Sequence, residues 1–238
     1  RDLVRSRGLG DVYKRQLIAL APASVQEMAD FVGIAFDLAF KYRNPAIILA
    51  DGVIGQMMEK VVLPEQRTRL TDEEVIARCP WATTGRTHHR TPNIITSLEL
   101  DPAEMEKRNI HLQKKYAEIE ENEVRFEELH CEDAEYLIVA FGSCARIAQK
   151  AMEMAREEGI KVGLLRPITL WPFPSKAIAA RAAQVKGILT VELNAGQMVE
   201  DVRLAVKCKV PVEHFGRLGG IVPDPDEVIT ALKEKLIK

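Results

Sequence analysis

The sequence predicts an α/β fold with parallel β-sheets, and three observations support this. From Tyr136 onward, short apolar segments alternate with amphipathic helical segments four times in about a hundred residues, which is the pattern of a parallel sheet with crossover helices. A further strand–helix–strand pattern occupies residues 17–49. Of the 238 residues, 47% are hydrophobic and 29% are charged, a composition that argues against disordered, collagen-like and disulfide-scaffold proteins.

Residues 1–16 do not share this pattern. They carry five Lys or Arg and two Asp, a net charge of +3, whereas the remaining 222 residues carry −5. They show neither the period of a helix nor the alternation of a strand. The segment resembles translated adapter sequence, so we expect a non-native leader at 1–16 and a fold that begins at Leu17.

Residues 17–49 form one predicted βαβ unit. Leu17–Leu20 and Ala46–Leu49 are short apolar strands. Ser24 and Glu27 have the spacing of a helix capping box, and the helix between the strands stops before Pro45. Strands that are apolar on both sides are normally buried on both faces, and one crossover helix covers only one face. We therefore expect this unit to need further strands, either from upstream in a chain truncated at its start or from a partner.

Residues 63–133 are predicted to be a connector with little strand signal. Thr71 opens a short helix through a capping box, and Trp81–Pro92 is a polar segment with the composition of an exposed loop. A long charged helix begins at Asp101, with Pro at its first position. Because both charge signs are interspersed along it, we expect a solvated helix that bridges two domains.

Residues 134–238 are predicted to form a complete parallel α/β domain. A rigid proline-rich loop is expected at Arg166–Pro174, and Asp224 is expected to cap the last helix. The four predicted strands of this domain are Tyr136–Phe141, Lys161–Leu165, Gly187–Leu193 and Val210–His214.

Charge and cysteine content exclude several functions. The pI near 6.3 argues against a dedicated nucleic-acid binder, and no apolar run reaches the ~18–20 residues of a membrane span. The cysteines, Cys79, Cys131, Cys144 and Cys208, form no CxxC pair, which argues against a zinc or iron–sulfur site within the chain. No glycine-rich dinucleotide or P-loop motif is present. Without a secretory signal, reduced thiols in the cytoplasm are the simplest expectation.

A ligand site is expected at the carboxyl ends of the strands, where open parallel sheets bind their ligands. Asn194 and Gly196 lie between a strand and a helix and offer an amide and exposed N–H groups to an anionic or carbonyl ligand. The alternative is structural, with Asn194 capping the helix and Gly196 permitting a tight turn. Both interpretations stay open, with the structural one favoured by residue type alone.

Other polar residues give weaker signals. Cys144 near a helix N-terminus could be a stabilised thiolate, but a buried small residue is the better interpretation. Ser143 is expected to be a helix N-cap, and Glu192 is either a salt-bridge partner or part of the loop site. His88 and His89 are expected to be an exposed loop pair rather than metal ligands.

Five segments together resemble a known family. The chain is similar to the α subunit of 2-oxoacid:ferredoxin oxidoreductases over Leu17–Lys238, and most of all to the branched-chain type that acts on 3-methyl-2-oxobutanoate (2-oxoisovalerate). The segments are LAPASVQE at 20–27, YRNPAIILADGVIG at 42–55, AFGSCAR at 140–146, LRPITLWPFP at 165–174 and ELNAGQ at 192–197.

The resemblance implies a partial thiamine-diphosphate domain of the pyrimidine-binding type at 17–62 and a transketolase C-terminal-like domain at 134–238. It also implies that a β subunit binds the diphosphate and Mg²⁺, while iron–sulfur clusters lie on partner chains that include a small ferredoxin-like subunit. The implied reaction is oxidative decarboxylation of a 2-oxoacid with CoA, giving acyl-CoA, CO₂ and reduced ferredoxin.

The resemblance also implies site residues near a subunit interface. These cofactor-binding candidates are Asp51, Gly52, Asn194, Gly196 and Gln197. The family's activating glutamate is expected upstream of Leu17, so no residue of this chain receives a catalytic role. Two alternatives remain: the α subunit of a 2-oxoglutarate:ferredoxin oxidoreductase, and a non-catalytic interaction module that docks onto a complete enzyme.

Overall fold

A computed structural model describes residues 16–82, 94 and 98–237. The expected leader, except for Gln16, and the pair His88 and His89 lie outside the described residues. The chain divides into two units, of which the smaller is Pro64–Lys114 and the larger comprises the segments before and after it. No helix among the described residues is both long and apolar enough to cross a membrane.

The strands and helices alternate along most of the chain, as predicted. The strands are β1 (Ile18–Leu20), β2 (Ala46–Ile48), β3 (Phe126–Leu129), β4 (Tyr136–Ala140), β5 (Val162–Pro167), β6 (Thr169–Trp171), β7 (Gly187–Glu192) and β8 (Val212–Gly216). The helices are α1 (Val25–Tyr42), α2 (Gly52–Gln56), α3 (Asp72–Arg78), α4 (Pro102–Asn122), α5 (Gly142–Glu157), α6 (Ser175–Ala182), α7 (Met198–Val206) and α8 (Pro225–Leu232), followed by a π-helical turn at Lys233–Ile237.

Helix ends predicted from capping patterns are confirmed. The Ser24 hydroxyl accepts the N–H of Glu27 at the start of α1, and the Glu27 carboxylate accepts the N–H of Ala23. Thr71 and Glu74 form a reciprocal capping box at α3. These short-range contacts depend only on residue type and spacing, so they could be predicted without knowledge of tertiary structure.

The larger sheet has the strand order β3-β5-β4-β7-β8, and all of its strands are parallel except β3. Successive residues along β4 enter opposite cores: Ile138 packs with α5 and α8, whereas Leu137 and Val139 pack with α6 and α7. This alternation follows from the two-residue period of a strand and explains why β4 is apolar throughout. The predicted parallel α/β domain is confirmed.

β3 is a strand that the sequence pattern missed. It adds to the edge of this sheet in an antiparallel direction, within the segment predicted to be a connector. Its sequence, FEEL, carries two acidic residues, which arginines from neighbouring elements pair: Arg181 lies 2.6 Å from Glu128, and Arg166 lies 3.5 Å from Glu127. Charged residues are tolerated on an edge strand because one side of it faces solvent, so β3 lacks the apolar pattern of the central strands.

The smaller sheet has the order β2-β1-β6 and corrects the expectation for the first unit. β1 pairs with β2 in parallel and with β6 in antiparallel, so the further strand comes from downstream in this same chain. β6 lies in the segment expected to be a proline-rich loop, where Pro167 and Pro172 flank its three residues and leave the paired positions free of proline. All three residues of β1 are 0% exposed, so its faces are already covered.

A buried carboxylate joins the end of α4 to α1. Glu123 accepts hydrogen bonds from the Lys41 ammonium and the Tyr42 hydroxyl, each at 2.7 Å, and Arg125 lies 3.6 Å away. Burial acts to raise the pKa of Glu123, but the hydrogen bonds from Lys41 and Tyr42 outweigh it, and the net pKa lies below the ordinary value. The ionised form of Glu123 therefore stabilises this contact.

We expect Glu123→Gln to lower the free energy of unfolding by about 1–3 kcal/mol near pH 7, because Tyr42 and Lys41 lose a charged acceptor. A carboxyl whose pKa is lower in the folded state stabilises the fold above its unfolded pKa and loses that effect as the pH falls through the folded pKa. The difference between parent and variant should therefore shrink below the ordinary glutamate pKa of 4.5. Urea unfolding at several pH values measures this, with Glu120→Gln, at an exposed position of α4, as control. A loss that is independent of pH would contradict the charge-based account.

Candidate functional site

The carboxyl ends of strands from both sheets meet in one region. The carboxylate of Asp51, just beyond β2, accepts the N–H of Ser143 at 2.8 Å, just beyond β4. A Cβ at Gly142 would lie 3.9 Å from the carbonyl oxygen of Pro22, which follows β1. The ends of β1, β2 and β4 are therefore adjacent, which is where parallel sheets place ligands.

Asp51 links two helices through one carboxylate. One oxygen accepts the N–H groups of Val53 and Ile54 at 3.0 Å, which caps α2, and the other accepts the N–H of Ser143 in the first turn of α5. Gly142 has a φ of +61°, and a Cβ there would lie 2.8 Å from the second oxygen, so the close approach requires glycine. Asp51 thus holds a structural role in this region, and its part in cofactor binding stays a prediction.

Gly52 is the exposed first residue of α2, and a Cβ added to it would contact nothing within 4 Å. No steric requirement of the described residues therefore selects glycine at this position. The contact of Gly52 with a cofactor therefore stays a prediction.

Asn194 to Gln197 form a tight turn between β7 and α7. The side-chain oxygen of Asn194 accepts the N–H of Gly196 at 2.7 Å, and Gly196 has a φ of +104°, which favours glycine. The expectation that Gly196 permits a tight turn is confirmed. The expectation that Asn194 caps the helix is wrong, because Gln197 occupies the N-cap position of α7 and the Asn194 side chain closes its own turn.

Glu192 is the residue that holds the start of α7. It is 1% exposed, and its carboxylate accepts the N–H groups of Gln197, Met198 and Val199 at 3.1, 2.8 and 3.0 Å. Burial acts to raise the pKa of Glu192, but hydrogen bonds from His214 and these three N–H groups give a net pKa below the ordinary value. Glu192 therefore has both of the roles that the sequence left open: it contacts His214, and it supports the loop between β7 and α7.

His214 lies on β8 against the same turn. Its Nδ1 is 3.5 Å from Glu192 and 3.3 Å from the Thr190 hydroxyl, and its Nε2 is 3.2 Å from the carbonyl oxygen of Asn194. A Cβ at Gly216 would overlap that same carbonyl oxygen, so glycine is required there for the two loops to approach. Sequence reasoning did not identify His214, because its relation to Glu192 depends on the pairing of β7 with β8.

A narrow cleft lies where these elements meet, with free volume of about 10 Å³, enough for about one water molecule. Leu49, just beyond β2, lines the cleft together with Glu192, Asn194 and Gln197. Of the predicted site residues, Asn194 and Gln197 are among its lining residues, whereas Asp51, Gly52 and Gly196 are not. Apolar side chains complete the walls: Phe141, Leu170, Phe173 and Met198. The cleft therefore combines amide side chains with apolar surfaces.

Two other expectations have different outcomes. Ser143 is not the N-cap of α5, since Phe141 holds that position and Ser143 follows within the first turn. Cys144 is 2% exposed, and burial, together with the nearby charges of Asp51 and Glu192, raises the pKa of its thiol to about 12. The interpretation of Cys144 as a buried small residue is confirmed.

We expect the cysteines to differ strongly in alkylation by iodoacetamide near pH 8. Cys208 is exposed and should react first, whereas Cys144 and Cys131 are buried and have thiol pKa values raised to about 12 and about 11. Because the thiolate is the reactive form, both buried cysteines should react at least about 100-fold more slowly. Peptide mass spectrometry over time measures the rates, with urea-unfolded protein as control. Early labelling of Cys144 in the folded chain would contradict its placement.

Among the described residues, no three His, Cys, Asp or Glu side chains are grouped as metal ligands. Two carboxylates of this region, the half-buried Asp51 and the buried Glu192, are instead directed at backbone N–H groups. The polar residues that line the cleft are Glu192, Asn194 and Gln197.

Two family models match the chain in succession. One, described as pyruvate flavodoxin/ferredoxin oxidoreductase, thiamine diphosphate-binding, matches residues 2–129, and the other, pyruvate:ferredoxin oxidoreductase core domain II, matches residues 134–228. The class is thus a thiamine-diphosphate-binding α/β domain joined to an oxidoreductase core domain. The chain belongs to the pyruvate flavodoxin/ferredoxin oxidoreductase family. The first match includes most of the expected leader, and the leader and the predicted domain bounds stay predictions.

Curated relatives lie within the same family. The chain is 45% identical to the ketoisovalerate oxidoreductase subunit VorB of Methanothermobacter marburgensis over 98% of its own length and 63% of that protein. It is 30% identical to the 2-oxoglutarate synthase subunit KorA of the same organism over 97% of its own length and 67% of that protein. The chain therefore spans slightly less than two thirds of the length of the VorB relative.

A solved structure shares the fold. The 2-oxoglutarate:ferredoxin oxidoreductase from Magnetococcus marinus matches 91% of this chain with a TM-score of 0.69 and 23% identity, and the match covers 42% of that chain. The predicted combination of a thiamine-diphosphate-type domain with a following parallel α/β domain is thus confirmed at the level of fold.

Proposed function

We propose that this chain is part of the α subunit of a 2-oxoacid:ferredoxin oxidoreductase that acts on branched-chain 2-oxoacids. The observation that carries the proposal is a difference in similarity: 45% identity to a ketoisovalerate oxidoreductase subunit against 30% to a 2-oxoglutarate synthase subunit, over nearly the same length of this chain. Since these relatives match the same region, the difference favours the branched-chain substrate over the 2-oxoglutarate alternative.

The functional groups of the cleft suit the aminopyrimidine end of thiamine diphosphate. The amides of Asn194 and Gln197 offer donors and acceptors for ring nitrogens and an amino group, and Leu49, Phe141 and Leu170 offer apolar surfaces for the ring. As the cleft has room for about one water molecule, we propose that it forms one wall of a site whose other wall belongs to another part of the complex. Of the predicted cofactor-binding residues, Asn194 and Gln197 would contact the ring.

The diphosphate and Mg²⁺ do not suit this region. The carboxylates of Asp51 and Glu192 each accept three backbone N–H groups, which leaves them poorly placed to act as Mg²⁺ ligands. We therefore propose that the β subunit binds Mg²⁺ and the diphosphate. The iron–sulfur clusters are likewise assigned to partner chains, including a small ferredoxin-like subunit.

Bound thiamine diphosphate supplies the carbanion chemistry that decarboxylation of a 2-oxoacid requires. In the proposed overall reaction, a 2-oxoacid anion and the CoA thiol give acyl-CoA, CO₂ and one proton, and the two electrons released pass through the clusters to ferredoxin. The residues of this chain orient the pyrimidine and exclude water from one side of it. No residue of this chain is assigned a catalytic role.

We place the proposed complex in the cytoplasm. All four cysteines are free thiols, although Cys208 is exposed, and free thiols suit a reducing compartment. Electron transfer to ferredoxin requires that ferredoxin and the complex share a compartment, which is consistent with the cytoplasm.

Substrate preference tests the proposed function. We expect the full-length gene product that contains this sequence, purified with its partner subunits, to reduce a viologen dye with 2-oxoisovalerate at a kcat/KM at least about 10-fold above that with 2-oxoglutarate. The physical reason is that a pocket for a branched aliphatic side chain leaves the second carboxylate of 2-oxoglutarate without a polar partner. Dye reduction followed under anaerobic conditions gives both constants.

Two results would overturn the proposal in different ways. A clear preference for 2-oxoglutarate would replace the substrate assignment with the alternative in the same family. An assembled complex that reduces dye with neither substrate, in the presence of CoA, thiamine diphosphate and Mg²⁺, would favour the non-catalytic interaction module. Omitting CoA controls for background dye reduction.

A further inference from the structure

Glu192 holds the start of α7, a helix that begins six residues after it. Helix N-termini are usually capped by a Ser, Thr, Asp or Asn at the N-cap itself, at the boundary with solvent. Here the acceptor is a fully buried carboxylate at the end of β7, and its two oxygens accept the N–H groups of Gln197, Met198 and Val199. The strand end and the helix start are thus joined across the turn.

Because Glu192 accepts these N–H groups, the N-cap residue does not have to cap the helix. Gln197 stands at the N-cap of α7, and its side chain makes no capping hydrogen bond. Gln197 lines the cleft beside Asn194, and Glu192 is a lining residue as well. A Ser or Asp at position 197 would cap the helix without burying a charge, but it would not present an amide to the cleft.

His214 ties the other end of the turn to the same carboxylate. Nε2 of His214 lies 3.2 Å from the carbonyl oxygen of Asn194. The opposite ring nitrogen lies 3.5 Å from Glu192 and 3.3 Å from the Thr190 hydroxyl. Glu192 therefore contacts the end of the turn directly and its beginning through His214.

We propose that Glu192 is a positioning residue, whose buried carboxylate sets the shape of the turn and thereby places the amides of Asn194 and Gln197 in the cleft. The proposal rests on the proposed function, because it takes the cleft to be part of the thiamine diphosphate site. Its structural half, the control of the turn by Glu192, is independent of the ligand. The two halves are therefore tested separately.

The structural half is tested by hydrogen–deuterium exchange on the chain itself. Glu192→Gln retains the size of the side chain but has one acceptor oxygen in place of two and an amide that opposes the N–H groups. We expect exchange at the amides of Met198 and Val199 to accelerate about 10-fold, with little change in β4. The matched control is Glu227→Gln, which removes a capping glutamate from α8. It should leave the exchange of Met198 and Val199 unchanged.

The functional half is tested in the assembled complex. For Glu192→Gln we expect the concentration of thiamine diphosphate that gives half-maximal activity to rise about 10-fold, while kcat at saturation changes less than about threefold. Glu192→Asp keeps the negative charge and should restore part of the affinity for thiamine diphosphate. It also tests the proposal if the Gln variant fails to fold. Asn194→Ala tests the cleft directly and should raise the same half-saturation concentration.

Each pattern of results has one meaning. Unchanged exchange at Met198 and Val199 in Glu192→Gln, or equal loss of affinity in the Gln and Asp variants, would overturn the positioning role. If exchange accelerates but neither Glu192→Gln nor Asn194→Ala alters the half-saturation concentration, the proposal fails because the cleft does not contact thiamine diphosphate. If Asn194→Ala weakens the cofactor while Glu192→Gln changes neither readout, the proposed site stands and the role of Glu192 is wrong.

Discussion

The carboxylate of Asp51 connects the carboxyl ends of the two sheets, which the pairing of β1 with β6 also joins along the chain. It accepts N–H groups from α2, at the end of the smaller sheet, and from α5, at the end of β4 in the larger sheet. Anionic side chains are favoured at helix N-termini because several N–H groups there lack partners within the helix. Here one anion satisfies donors from two helices, so the carboxyl ends of both sheets form one continuous edge.

A second carboxylate, the buried Glu192, organises another part of this edge. Glu192 resembles Asp51 in accepting three backbone N–H groups, but its donors all belong to the start of α7. Between the two carboxylates lies Cys144, whose thiol pKa is raised by burial and by both charges. Both carboxylates of this edge are thus directed at backbone N–H groups.

Local patterns predicted much of this fold, and tertiary pairing explains what they missed. The capping pair at Ser24 and the apolar run of β4 follow from residue type and spacing, which sequence shows directly. β3 and β6 were missed because a charged edge strand and a strand between prolines lack a strand pattern, and both are defined by distant partners. Asn194 could be identified as a candidate from its residue type and position. The role of Glu192 could not, because it depends on contacts with α7 and with His214, which lies 22 residues away in sequence.

The most direct test of the account is hydrogen–deuterium exchange of Asp51→Asn against the parent chain. Asparagine has one acceptor oxygen, so it cannot accept the N–H groups of both helices. We expect the amides of β1 and of the first turn of α5 to lose protection from exchange, while the amides of β7 keep theirs. The contact between the two sheets at Asp51 should open before the larger sheet unfolds. Unchanged protection at β1 and α5 would contradict the claim that this carboxylate unites the two sheets into one binding edge.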